Sequence, residues 1–370
     1  IKGTELEDDP RLEGNDKANH VQQINDYGFE LGGPILKDKL FIWGSYGKQD
    51  IRLITFNQTL DKTVLEGFNA KLNWQISPST SFSVFWFDNA KIKLGRAPSL
   101  PLTYPEPTLW DQDNRYSEKT FLGIPGLMKF ELNHVFSPNF IINARYSNHD
   151  SGFELASRNL DTSTALDFDA GVARGAAWLQ FGSIRPLKHI TNVDGNYFAS
   201  GWGGQHNLKF GFGYKQSEVT STTTYGGHPG LLAYGWGPAG SGENVVLVER
   251  MALREYDTTF YSAYVSDTFS KDRLTVTAGL RWDYQDFKNL PSAVPGNATF
   301  PDLLPAIESS GEIGNGITWN ELSPRVGITY ALDDARKTVA RASFARYAGR
   351  IDSYYGGLEN PAGRSFIAYG

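Results

Sequence analysis

Nine charged residues sit at alternate positions in stretches that are otherwise apolar, small or aromatic: Lys71, Lys129, Glu131, Arg145, Lys209, Arg281, Asp283, Arg325 and Arg341. Side chains two apart leave an extended backbone on the same side, so strands carrying these residues would present one charged face. Such a face can hydrate an interior, dock another protein segment or touch a polar solute. Solvation and docking explain it without any solute. A second set, Trp110, Trp178, Tyr225, Trp236, Tyr354 and Tyr355, lies in polar, glycine- and proline-rich stretches. Flat rings there can serve as platforms for sugars or organic iron chelates, or simply anchor a loop.

Nothing points to covalent chemistry. The sequence has no nucleophile elbow, Walker loop or HExxH, and Gly235 to Gly242 ("GWGPAGSG") lacks the Gly-Lys-Ser/Thr that holds phosphate. His149-Asp150 is a conceivable metal contact, but a solvated loop tip explains it better. The pairs Asp8-Asp9 and Asp333-Asp334 are ordinary surface and turn features rather than glycosidase carboxylates. With no cysteine there is no disulfide framework and no thiolate site. No catalytic, cofactor-binding or metal-binding residue is assigned, and no enzyme is expected.

The elements that position these residues are strands. In "RLTVTAGLRWDYQDF", Leu274, Val276, Ala278, Leu280, Trp282 and Tyr284 oppose Thr275, Thr277, Gly279, Arg281, Asp283 and Gln285. "GFNAKLNWQI", "NFIINARYS", "HNLKFGFGYK" and "SPRVGITYA" alternate in the same way, whereas "KLFIWGSYG" and "SFSVFWFDNA" are aromatic on both faces and leave their orientation open. Helical periodicity is weak throughout, so the chain reads as all-β. A soluble strand buries its apolar face and wets the other; a membrane barrel strand puts the apolar face in lipid and the polar face in a wet interior.

The connections favour the membrane. Tight ones (Lys37-Asp38-Lys39, Ser77-Pro78-Ser79, Ser137-Pro138-Asn139, Gly203-Gly204-Gln205, Lys271-Asp272, Asp333-Asp334) are expected to alternate strictly with long polar ones. The long ones run over 95–117, 152–182, 220–244 and 289–317. Compact soluble domains rarely carry such loops, whereas outer-membrane barrels have short periplasmic turns and long outer loops. The alternation gives about twelve strands of about 9–11 residues each. Trp43, Trp74, Tyr146, Tyr214, Trp282, Tyr284 and Tyr330 would then supply interfacial girdles. A 370-residue chain with net charge −6, pI near 5.6 and mean hydropathy −0.38 has no apolar run fit for a spanning helix. It also lacks the basic stripe of a nucleic-acid binder, and no nucleic-acid partner is expected. Two rivals remain: a passive outer-membrane porin, and a secreted all-β carbohydrate-active or adhesion protein.

Asp26 to Asp50 ("DYGFELGGPILKDKLFIWGSYGKQD") resembles an early barrel hairpin of TonB-dependent outer-membrane receptors, in particular the Oar-like branch with a carboxypeptidase-regulatory-like domain. "YSAYVSDTF", "GLRWDY", "LSPRVGITY" and "RASFARYAGR" resemble later strands of the same barrel in the same order. The resemblance implies a barrel of about 22 strands around a plug domain, energised by the TonB-ExbB-ExbD system and importing a siderophore, glycan or peptide. Residues 1–23 are expected to be an outer-loop segment, and 24–370 a partial transmembrane β-barrel of about 12 strands without the plug. The chain is expected to be a piece of a longer outer-membrane protein. The segments near Asn25 to Ile35 and Lys337 to Tyr347 should therefore stay unpaired with each other.

Overall fold

The computed structural model describes residues 19–55, 59–97, 102–114, 124–149, 151–177, 180–184, 187–201, 203–227, 230–236, 243–311, 317–350 and 360–369. The first strands are β1 (His20–Leu36), β2 (Leu40–Ile54), β3 (Leu60–Ser77) and β4 (Thr80–Arg96). A short β5 (Trp110–Asp113) precedes β6 (Leu127–Ser137) and β7 (Phe140–His149). Next come β8 (Gly152–Ser157), β9 (Ala165–Asp167), β10 (Val172–Arg174), β11 (Gln180–Ile184), β12 (Leu187–Gly201) and β13 (Gly204–Thr224). The last are β14 (Gly230–Trp236), β15 (Glu243–Glu249), β16 (Ala252–Lys271), β17 (Leu274–Asn289), β18 (Ser292–Val294), β19 (Ile307–Ser309), β20 (Ile317–Ala331), β21 (Val339–Ala345) and β22 (Phe366–Tyr369).

Twelve of these form one antiparallel meander in which each pairs with the next: β1, β2, β3, β4, β6, β7, β12, β13, β16, β17, β20 and β21. Between β4 and β13 the sheet forks. At the turn end the path runs through β6, β7 and β12; at the loop end β5, β8 and β11 bridge the same gap. The hairpins close on residues that accept a left-handed backbone. Asp38 has φ 60° and Asp272 φ 50°, which Asp tolerates better than most L-residues. β1 and β21 are the two sheet edges and do not pair with each other, as expected from the sequence. Every residue of both is exposed.

Cross-strand partners share a face, so the register assigns every side chain. One row of partners reads Leu40, Trp74, Phe82, Leu132, Ala144, Val193, Phe212, Ala263, Trp282 and Leu322: ten apolar residues across ten strands. A row on the opposite face reads Asn73, Ser83, Glu131, Arg145, Asn192, Gly213, Ser262, Asp283 and Glu321. The apolar face is bare: Phe212 is 45%, Leu280 46% and Leu322 51% exposed. Ionic groups bound it. Toward the loops, Lys48 and Lys62 pair with Glu66 and Asp50 at 3.8 and 3.2 Å; toward the turns, His206 meets Asp267 at 2.6 Å.

The packed cores lie instead at the loop end. Leu102, Tyr104, Leu109, Leu166, Ala173 and Leu247 form one, and Val219, Tyr256 and Phe287 form another. The first belongs to a cap built by the long connections, a five-stranded sheet ordered β10-β9-β14-β15-β22. A soluble sandwich would bury its apolar strand faces against each other; here those faces are outside, which excludes the sandwich architecture.

Three expectations need correction. The strands run up to 21 residues, beyond the span of hydrocarbon, because they continue above the apolar band. The alternation of short and long connections breaks between β2 and β3, where Thr55 N donates to Thr59 O at 3.0 Å and the two hydroxyls meet at 2.7 Å. Trp43 pairs with Lys71 and so sits on the charged face, not in a lipid girdle. The other six girdle candidates do lie on the apolar face, and Tyr214, Tyr261 and Tyr284 form a run of rings at 5.0 and 6.1 Å.

Candidate functional site

The register places all nine alternating charges on the inner face. Lys129 and Glu131 pair at 2.7 Å, and Asn143 Nδ2 donates to the same carboxylate at 3.1 Å. Arg145 pairs with Asp194, which also accepts from Tyr264 OH at 2.9 Å. Arg281 grips Asp283 through Nε at 2.8 Å and Nη2 at 2.7 Å, a geometry only a planar guanidinium allows. Lys209 and Arg325 belong to one row through Ser266 and Gly279. Arg341 lies opposite Thr329 near the turn end.

Two hollows divide part of this set. One, about 420 Å³, takes in Lys71 and Glu131 together with Asn73, Ser83 and Asn133. The other, about 400 Å³, takes in Arg281, Asp283 and Arg325. Its remaining wall includes Lys215, Phe260, Gln285 and Ser323, and residues Tyr347 to Arg350 cross over it from β21. Gln285 Nε2 donates to Gly349 O at 2.8 Å and holds that crossover in place. The nine charges did not point to Lys215, Phe260, Ser323 or Arg350. Lys215 continues the polar phase of "HNLKFGFGYK", so its parity alone would have found it.

The loop aromatics are not assembled into one platform. Trp110 is half-buried on β5 opposite Arg96 and Ser157. Tyr225 is half-buried, its hydroxyl lies 2.7 Å from Ser365 Oγ, and burial pushes its phenol up. Trp178, Tyr354 and Tyr355, and the side chain of Trp236, lie outside the described residues, as does Asp150 beside His149. What ties the cap together is a cation that no sequence motif singles out. Arg250 is 6% exposed and donates to Arg364 O at 3.0 and 2.9 Å and to Pro305 O. Burial pushes its guanidinium down from the ordinary value. Beside it, Arg254 Nη2 donates to Gly363 O at 2.9 Å.

An antiparallel meander with a bare apolar exterior, a charged interior, tight turns at one end and a folded cap at the other is the wall of an outer-membrane β-barrel. The family model described as "TonB dependent receptor-like, beta-barrel" matches residues 54–369, and the chain belongs to that family. It is a family of receptors, not enzymes, and its place is the outer membrane. No curated protein matches the chain.

Solved structures agree on the fold. The alcaligin outer-membrane receptor FauA from Bordetella pertussis is 12% identical with a TM-score of 0.55, over 89% of this chain and 42% of that one. The outer-membrane transporter YddB from Escherichia coli is 12% identical with a TM-score of 0.54, over 88% and 38%. The ferric-catecholate import receptor Fiu from E. coli K12, in its open form, is 10% identical with a TM-score of 0.55, over 86% and 52%. The chain thus spans between 38% and 52% of the length of these three.

Proposed function

We propose that the chain is part of the wall of a TonB-dependent active transporter that binds and imports a solute across the outer membrane. The observation that carries this reading is the inner face: nine charges in phase on a wall whose family is that of TonB-dependent receptors. Residues 24–370 would form that wall, with β1 reaching back to His20 and the residues before it belonging to an outer loop. Its outer face meets lipid. Lys71, Lys129, Glu131, Arg145, Lys209, Arg281, Asp283, Arg325 and Arg341 dock or hydrate a plug domain of the parent protein, and TonB, ExbB and ExbD energise the plug's movement. Solute is captured by the outer loops, with Trp110, Trp178, Tyr225, Trp236, Tyr354 and Tyr355 as the candidate contacts. The solute is a siderophore, a glycan or a peptide. Iron chelates come first for testing because two of the structural neighbours are an alcaligin receptor and a ferric-catecholate import receptor.

The test is uptake by the full-length protein in a host with and without TonB, at low solute concentration. Uptake that disappears with TonB supports the reading. Uptake that is unchanged identifies a passive pore of the same architecture.

A further inference from the structure

We propose that the inner-face hollow beneath the Tyr347 to Arg350 crossover is a binding site for a small organic oxyanion, a carboxylate or phosphate compound. The hollow measures about 400 Å³, within the range of small-molecule sites. Four cations line it, Lys215, Arg281, Arg325 and Arg350, against one lining carboxylate, Asp283. Arg281 is committed to that carboxylate by three contacts of 2.7–3.0 Å.

The other three cations reach no carboxylate among the described residues. They rest on rings instead. Lys215 Nζ and the Arg350 guanidinium lie 5.9 and 4.6 Å from the Phe260 centroid, and the Arg325 guanidinium lies 4.7 Å from that of Tyr347. A ring face positions a cation without neutralising it. Among the described residues the site therefore holds three positive charges, on strand and ring supports, without a carboxylate partner.

Ser323 supplies an independent observation. It lines the same hollow, is 1% exposed, and its hydroxyl has no hydrogen-bond partner. A buried hydroxyl left unpaired is costly, and an oxyanion oxygen accepting from it would recover that cost. The floor is also kept open by Gly213, where a Cβ would come within 2.7 Å of Ser262 Oγ. Cations on two sides, a donor at the base and a floor without a side chain make a cradle for carboxylate or phosphate oxygens. The rings leave room for an organic body rather than a bare ion.

This gives Arg281, Asp283 and Arg325 a small ligand in place of the plug contact proposed above; it is tested by binding alone, so its failure leaves TonB-dependent uptake untouched. The full-length protein in detergent is titrated with pyrophosphate and, separately, with tricarballylate, by calorimetry at low and high salt. Saturable one-site binding of either is expected. Arg350→Gln, which sits on the crossover rather than in a strand, should weaken it at least tenfold, and Arg350→Lys should retain most of it. Lys37→Gln, exposed in the turn between β1 and β2, should leave it unchanged. Absence of binding by the native protein overturns the proposal. So does binding unaffected by Arg350→Gln, or weakened equally by Lys37→Gln, since either places the anion elsewhere or makes the attraction diffuse.

Discussion

Replacing Arg250 with methionine should loosen the cap while leaving the strand ladder intact. The guanidinium of Arg250 holds two carbonyls, those of Arg364 and Pro305, and its backbone amide donates to Ser365 O at 2.8 Å. It thereby ties the end of β15 to the loop after β18 and to the segment before β22. Methionine keeps much of the stem, so the main loss is the charged donor. A hydrogen bond to a charged group is worth about 1.5–3 kcal/mol, and two acceptors lose theirs. Two effects offset part of that sum: water can reach the freed carbonyls, and a buried cation no longer has to be desolvated. A net cost of about 2–3 kcal/mol to cap closure follows. That corresponds to about 30- to 150-fold faster local opening.

Hydrogen exchange on the full-length protein reads this directly, because local opening sets amide exchange. Peptides covering 295–305 and 360–367 should speed up by that factor. Peptides from the middle of β16 should not change, since their ladder with β13 and β17 does not involve Arg250. Unchanged exchange in both cap segments would refute the reasoning. So would equal acceleration in β16, which would make Arg250 part of the barrel's own stability.

Two further outcomes follow from the faces and the turns. Leu280→Arg, on the bare apolar face, should cost about 2–4 kcal/mol at mid-membrane in a denaturant titration from lipid vesicles, whereas Ser266→Arg on the inner face should cost far less; equal costs would mean that the faces are misassigned. At the turn between β20 and β21, the amides of Lys337 and Thr338 donate to the Asp333 carboxylate at 3.0 and 2.7 Å and hold it below the usual carboxylate range. Because its folded value is depressed, the turn should be fully stabilised above the ordinary carboxylate pKa and lose that stabilisation as pH falls through the lowered value. Amide protection at Lys337 and Thr338 that stays flat through this window would contradict the assignment.

The wall was largely legible in the sequence because a membrane strand needs only a period of two, and segments such as 274–285 keep it without interruption. The same rule explains where reading failed. β2 carries Phe41, Ile42 and Trp43 in succession, so composition cannot say which face meets lipid; only its pairing with β3 places Trp43 beside Lys71. The cap was not legible at all. Its strands are as short as three residues, and β9 pairs in parallel with β14 from a different connection, a contact no local pattern encodes. The charged face of the candidate site was readable from parity, as Arg281 and Asp283 show. Its rings and its crossover were not, because Phe260 joins the inner face only through register with Lys215 and Gln285. Arg350 arrives from a segment beyond the last strand of the meander.

The central claim is that this wall is apolar outside and charged inside. The chain has no cysteine of its own, so single cysteines can be placed in it and spin-labelled one at a time, in lipid, within a full-length protein whose cysteines elsewhere, if any, are replaced by serine. Labels at Leu208, Phe210, Phe212 and Leu280 should show high accessibility to oxygen, which partitions into hydrocarbon, and low accessibility to a water-soluble nickel chelate. Labels at Asn207, Lys209, Ser266 and Arg281 should show low oxygen accessibility. Accessibility that alternates with the opposite phase, or does not alternate at all along 207–210, would contradict the account.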